Sequence, residues 1–253
     1  MSQVVVNPYR YVAQIVSGDS LRAYWRFNET SGTTATNTAS SIAGNSSVGS
    51  GANLALTNVT LGDTTTPSNL ATGAEFDGSS IGETGSGTES LFNFLHDGSD
   101  WSCAFWAKMA SVSSNQHIID NKGAAGEDVC GLDIRTRTTA KWYVVGTKCP
   151  TGYYVTRAAT DSYITADQWE FFVMTWDNSA TEVAFWRDGG NEVTGSGTTG
   201  VSGSDAENTL VVGGYGTTAT LDSIICELSL WSRKLTDQNI VDLYGSGGGL
   251  VLT

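Results

Sequence analysis

The stretch Leu221–Tyr244, LDSIICELSLWSRKLTDQNIVDLY, decides how the chain is read. Its first half alternates. Leu221, Ser223, Ile225, Glu227 and Ser229 fall in one register, and Asp222, Ile224, Cys226, Leu228 and Leu230 in the other. The second register is almost wholly apolar, which predicts a strand with that face on a core. Trp231-Ser-Arg-Lys then breaks the alternation. Thr236 is placed to cap a helix, Asp237 sits in its first turn where the helix dipole favours an anion, and Ile240, Leu243 and Tyr244 repeat at helical spacing. Gly245 stops it. A strand, a bend, a short amphipathic helix and a Gly-rich exit therefore close the chain.

Working outward, several segments carry the same alternation. Leu21–Phe27 (LRAYWRF) places Leu21, Ala23, Trp25 and Phe27 on one face and runs into the turn Asn28-Glu-Thr-Ser-Gly32. Trp101–Met109 (WSCAFWAKM) reads as a central strand and Ile118–Lys122 as the next. Cys130–Arg135 and Lys141–Gly146 read as a strand pair. Gln168–Trp176 and Glu182–Asp188 form a hairpin across Asp177-Asn-Ser-Ala, and Leu210–Tyr215 a further strand. Residues 33–72 read as loop around one strand, Leu54–Leu61, and residues 79–100 and 190–208 as polar loops. Pro150 confines the segment around Tyr153 to a loop or sheet edge. Ahead of all this, Tyr9, Val12, Ala13 and Val16 predict a short helix behind an arm of residues 1–8. No repeat or linker divides the series, so the expected organisation is an arm and helix over residues 1–20 and one domain over 21–253.

This order of elements resembles the laminin-G-like, concanavalin A-like lectin jelly rolls, over roughly Tyr9 to Tyr244. The closing stretch is similar to the family's last strand and helix, with Asn239 where the family usually has Glu. YWRFNETSGTT from Tyr24, AEFDG from Ala74, WSCAFWAKM and the QWEFFVMTW/EVAFWRD hairpin follow its other motifs in order. Glu170 and Phe171 replace a usual pair of His. The resemblance implies an all-β, jelly-roll β-sandwich with one or two short helices near the termini. The first-strand motif is of the type found in bacteriophage structural proteins, which implies a surface structural or adhesion protein of a virion: a head-decoration, fibre or tail component. The alternative is a carbohydrate-binding module of a secreted or cell-surface protein.

Composition agrees with such a sandwich. Of 253 residues, 40% are hydrophobic and 10% aromatic, enough for a core, whereas only 15% are charged and 30 are Gly. The formal net charge of −13 repels phosphate backbones and anionic membranes, so nucleic-acid partners are not expected. No apolar run approaches the ~20 residues of a membrane span. MSQVVVNPYRYVAQIV lacks a basic leader and a small-residue cleavage site, so no signal peptide is expected. That fits a virion protein made in the host cytoplasm, with an extracellular location as the alternative. Partners are then other virion proteins reached through the arm, further copies of the chain, and surface glycans.

Candidate sites are few. The four Cys show no CxxC spacing and only two His occur, which disfavours zinc. Cys103 and Cys226 read as buried thiols; Cys130 and Cys149 flank a strand pair and leave a bridge open. The glucan-cutting enzymes that share this sandwich carry E-x-D-x-x-E on one strand. No such spacing is present, since the acid pairs Glu127/Asp128 and Asp205/Glu207 lie in Gly-rich loops, so an enzyme is not expected. Glu29, Asp77 and Asp222 match acidic positions of the family motifs and are the candidate calcium ligands. Trp142, Tyr153, Tyr154 and Tyr215, near Gly-rich or loop segments, are the candidate glycan-stacking aromatics.

Overall fold

The computed structural model describes residues 20–42, 52–112, 114–122, 130–137, 140–147, 153–157, 163–196 and 205–252. The expected arm and N-terminal helix lie outside them. The first strands are β1 (Leu21–Trp25), β2 (Thr34–Ala35), β3 (Leu54–Thr57), β4 (Thr60–Asp63), β5 (Gly73–Asp77), β6 (Ile81–Thr84) and β7 (Trp101–Met109). Next come β8 (His117–Asp120), β9 (Leu132–Arg137), β10 (Lys141–Thr147), β11 (Tyr153–Arg157), β12 (Trp169–Asp177) and β13 (Glu182–Arg187). β14 (Gly190–Ser196), β15 (Val211–Val212), β16 (Gly214–Tyr215), β17 (Thr218–Ala219) and β18 (Asp222–Trp231) complete the set, followed by helix α1 (Asp237–Tyr244).

One eight-stranded sheet runs β14-β13-β12-β7-β18-β5-β4, with β1 added on β18; a second runs β11-β10-β9-β8-β15-β6-β3-β2. Every named strand pairing is antiparallel, as expected of a sandwich closed by hairpins and long returns. Between the sheets lies one core. From the first come Trp25, Phe76, Trp101, Phe105, Phe172 and Phe185, and from the second Leu54, Ile118, Ile134, Trp142 and Val212. A second apolar cluster covers the outer face of the first sheet, where Tyr24, Trp106, Phe171, Cys226 and Trp231 meet Ile240 and Leu243 of α1. The first sheet is therefore buried on both faces.

That double burial explains how the closing strand departs from its expected alternation. The register of β18 on β7 passes from Cys226↔Trp106 to Ser229↔Ala104, so β18 carries one extra residue. The bulge lies at Glu227, whose φ of 53° is left-handed. Before it, Leu221 and Ile225 face the inter-sheet core; after it, Leu228 and Leu230 do. Cys226 and Trp231 face the outer cluster instead. A strict period of two would have put Cys226, Leu228 and Leu230 on one face.

Other differences have similar causes. The single strand expected over Leu54–Leu61 is two strands in different sheets, because Asn58 takes φ 58° and turns the chain across. Leu210–Tyr215 is broken at Gly213, φ 88°, where a Cβ would lie 2.5 Å from Phe76 Cδ1. The loops expected over 79–100 and 190–208 contain β6 and β14; β14 is a Gly- and Thr-rich sheet edge whose Val193 packs on the core. Other expectations hold. β7 spans the predicted residues, β12 and β13 form the predicted hairpin, and the segment at Tyr153 is an edge strand. The Thr236 hydroxyl accepts from Asn239 N–H at 3.2 Å while Asn239 Oδ1 accepts from Thr236 N–H at 3.3 Å, so Asn completes the capping box that the family builds with Glu.

Cys103 and Cys226 are free and buried, as expected. Cys130 is disulfide-bonded, while Cys149 lies outside the described residues.

The bulge buries a carboxyl. Glu227 accepts from the Tyr24 hydroxyl, and Arg26 Nε approaches its other oxygen at 3.3 Å. Tyr24 Oη in turn accepts from Leu252 N–H at 3.2 Å, tying the C-terminal segment to the same group. Burial pushes the Glu227 carboxyl up to about 8. A carboxyl raised in the folded state contributes stability that is present below its unfolded value, near 4.5, and is lost as pH rises toward 8. Glu227→Gln, which keeps the neutral form's shape, is expected to gain in Tm over the parent between about pH 5 and 8 and to level off above that. A difference in Tm that does not change with pH would refute the assignment.

Candidate ligand-binding site

The structure places the sequence-selected aromatics as follows. Trp142 is fully buried, 0% exposed, on the inner face of β10. Its indole packs edge-on against Phe105 at 5.5 Å and against Phe172 at 5.0 Å. It is a core residue and not a sugar platform; nearness to a Gly-rich segment misled, because β10 is flanked by β9 and β11. Tyr153 and Tyr154 pair with Thr147 and Gly146 on the edge strand, and their side chains lie outside what is described. Tyr215 is half-buried. Its ring lies 4.8 Å from the His117 imidazole, whose Nδ1 meets Asp133 Oδ1 at 2.7 Å. Asp133 is held from its other oxygen by Arg135 at 3.0 Å, so His117 is locked in a structural cluster.

The candidate calcium ligands also separate. Asp77 and Asp222 are direct partners across β5 and β18. Asp77 Oδ1, however, accepts from Ser79 N–H, Ser79 Oγ and Ser80 Oγ at 2.7–2.9 Å, which holds its carboxyl down to about 2. It closes the turn after β5. Asp222 lies in a hollow of about 120 Å³ with Glu75, Lys108 and Asp167. Glu29 belongs to the turn after β1, where its Oε1 accepts from Thr36 N–H at 2.8 Å. Among the described residues no group of three or more His, Cys, Asp or Glu is placed to hold a metal, so these three do not fit as one calcium site.

A different place offers a binding cavity. A seven-residue 3-10 helix, Glu89–Leu95, connects β6 of one sheet to β7 of the other at the rim of the sandwich. Its residues Phe92, Phe94 and Leu95 point into the core, with Phe92 6.3 Å from Trp25 and 6.5 Å from Phe94. Thr88 Oγ1 fixes the entry by donating to Gly85 O at 2.7 Å, and the Asn93 carbonyl accepts from His96 and Asp97 N–H at the exit. Anchoring three side chains leaves Ser90, Leu91 and Asn93 on the outer side. With Arg22 and Asp97 they surround a half-open cavity of about 270 Å³ floored by Phe92 and Phe94.

The polar groups around it are pre-set. Arg22 Nε donates to Ser232 Oγ at 2.9 Å, Asp97 Oδ1 accepts from Ser99 N–H at 2.8 Å, and Asn93 Nδ2 donates to Asp205 Oδ1 at 2.8 Å. Arg22 and Asp97 are thereby each oriented by one bond and retain another polar end. Asn93 Oδ1 is buried with no partner. Leu91, 40% exposed, forms an apolar lip. Charged and amide groups beside an apolar surface are what a small polar ligand with C–H faces requires.

The family model of the concanavalin A-like lectin/glucanases superfamily matches residues 82–241, more than half of the chain. The chain belongs to this superfamily. No curated protein matches it in sequence. Among solved structures, this lectin-like sandwich is similar to the receptor-binding domain of botulinum neurotoxin C/D mosaic serotype. The identity is 14% and the TM-score 0.58 over 90% of this chain and 51% of that one. The binding domain of botulinum neurotoxin DC in complex with SialylT gives 16% and 0.58, over 90% and 52%. The same domain in complex with rat synaptotagmin II gives 14% and 0.58, again over 90% and 52%. At these identities the likeness is one of fold, and this chain spans about half the length of those it matches.

Sequence reasoning missed Arg22, Leu91, Asn93 and Asp97. One signal was available: in LFNFL, three apolar side chains suffice to anchor a short helix, which leaves Leu91 and Asn93 over. For Trp142 the structure makes a direct prediction. Trp142→Ala is expected to cost about 3–5 kcal/mol in denaturant unfolding, because it empties the inter-sheet core. A variant as stable as the parent would return Trp142 to the surface.

Proposed function

We propose that this protein is a non-enzymatic recognition module that binds glycans through the rim cavity on the 3-10 helix. The observation that carries the reading is the cavity itself: oriented polar ends of Arg22 and Asp97 beside an aromatic floor. The lectin-like superfamily supports it, as does the recurrence of this sandwich in receptor-binding domains. A non-enzymatic role is supported by how the buried acids are employed. Glu227 is bound to Tyr24 and Arg26, Asp133 to His117 and Arg135, and Glu170 to Thr165 N–H at 2.9 Å and Arg187 at 3.4 Å. The buried Asp120 lies opposite Asp133 across β8 and β9, but Asp133 is committed to its ion pairs with His117 and Arg135. A glycan array probed with the parent, Asn93→Ala and Leu91→Asp is expected to show binding that falls at least tenfold in both variants with an unchanged Tm. Binding retained by both would place recognition elsewhere.

The second reading puts this module on a virion surface, with further copies of the chain and other virion proteins as partners. It is favoured by the resemblance of YWRFNETSG to phage structural proteins. Much of that motif has a folding role here: Tyr24 and Arg26 hold Glu227, and Trp25 Nε1 donates to Ala52 O at 2.8 Å. The assembly is therefore tested directly. Light scattering of the full chain should give a closed symmetric oligomer that is lost when residues 1–8 are deleted; a monomer in both cases would remove the virion reading and leave the binding module.

A further inference from the structure

We propose that the C-terminal segment Gly248–Leu252 is a strap that lifts from the sandwich by itself, and that the charge on the buried Glu227 sets how readily it does so. The strap follows α1 through Gly245, Ser246 and Gly247, whose φ angles of 57°, 56° and 91° are all left-handed. It belongs to no strand. Its start is closely fitted: Gly248 O accepts from Asn69 N–H at 3.0 Å, and a Cβ on Gly249 would stand 2.7 Å from Leu70 Cδ2. Gly249 and Leu250 N–H donate to the Tyr244 and Leu243 carbonyls at 3.1 and 3.0 Å, satisfying the open end of the helix. Beyond that point the hold is slight. Leu250 and Val251 are half-buried, and only Leu252 is deeply placed in the outer cluster. Its N–H donates to Tyr24 Oη at 3.2 Å, a side chain and not a neighbouring strand. A segment held by one apolar side chain and few backbone bonds opens at lower cost than the sheets do.

The same hydroxyl joins the strap to Glu227. Tyr24 Oη donates to Glu227 Oε2 while it accepts from Leu252, so one hydroxyl separates the strap from the carboxyl. Closed, the strap is part of what keeps water from Glu227, whose burial raises the carboxyl to about 8. Open, it admits water and returns the carboxyl toward its ordinary value of 4.5. The direction follows by linkage. The proton is bound more tightly under the closed strap, so acid favours the closed form. Opening then grows as pH rises from about 5 to about 8 and levels off above that.

The surrounding charges do not reverse this direction. Arg26, whose Nε lies 3.3 Å from Glu227 Oε1, and Glu29 beyond it belong to β1 and its turn, so they act alike with the strap open or closed. Cys226 is a thiol pushed up by burial, with Asp63 of β4 near it. On the covering side β7 presents Ala104 and Trp106, α1 presents Ile240 and Leu243, and the strap carries no ionisable side chain.

Hydrogen exchange of the full chain, corrected for the intrinsic rate at each pH, tests the strap directly. Its amides are expected to be far less protected than those of β7 throughout, and to lose at least about tenfold of their protection between pH 5 and 8. In Glu227→Gln the strap's protection should stay level over that range. Tyr24→Phe, which keeps the ring and removes the hydroxyl, should lower strap protection several-fold at pH 5 while β7 stays protected. Strap and β7 amides exchanging at one common rate would overturn the proposal, because the strap would then open only with the whole fold. Strap protection that is level with pH in the parent, or that falls equally in Glu227→Gln, would overturn it by removing Glu227 as the controlling group.

Discussion

The fold depends on β18 being buried on both faces. Its neighbours β7 and β5 fix it by backbone pairing, while its side chains must serve an inter-sheet core on one side and the cluster beneath α1 on the other. A flat strand with strict alternation could not send Ile225, Leu228 and Leu230 to the same core. One extra residue at Glu227 solves this by shifting the side-chain phase halfway along. The cost is a backbone in the left-handed region and a carboxyl taken out of water. Tyr24, Arg26 and, through Tyr24, Leu252 gather around that carboxyl, so the first strand, the closing strand and the chain's end converge on one group.

The same economy governs the outer face of the first sheet. Trp106, Phe171 and Tyr244 stack with ring centroids 5.3–6.3 Å apart, and Gly189 approaches Tyr244 so closely that a Cβ there would stand 2.8 Å from its ring. Helix α1 is thus a lid over apolar surface that would otherwise face water, and its capping box and Gly245 end determine its length. A second lid, the 3-10 helix Glu89–Leu95, packs onto the inter-sheet core. Because it needs only Phe92, Phe94 and Leu95 to stay in place, its remaining side chains are available for recognition. A rigid sandwich that carries a small site on a connecting segment is the usual division between scaffold and function.

Local pattern was enough to determine much of this molecule. The alternation in β7, β12 and β13 depends on neighbours two residues apart, and the cap and stop of α1 on residues within nine positions of each other, so these elements were readable from the chain alone. The superfamily followed from their order. Strand existence failed where pattern was weak: Gly- and Thr-rich β14 owes its place to pairing with β13, and β3 and β4 are separated by a single left-handed Asn58. Trp142 as a sugar platform failed for a related reason. Whether Trp142 faces a loop or a core depends on which strands flank β10, and Asp77, Asp222 and Glu29 could be placed together or apart only by the register of distant segments.

By itself the sequence determined the class of fold, the closing strand and helix, and an acidic surface, because periodicity, capping and net charge are properties of neighbouring residues or of their sum. Only the tertiary structure decided that Glu227 is a buried bulge and that Trp142 is core. It alone showed that Arg22, Leu91, Asn93 and Asp97 meet around one cavity. Those facts depend on long-range pairing, in which residues some 70 to 200 positions apart become neighbours, and no local period encodes such distances.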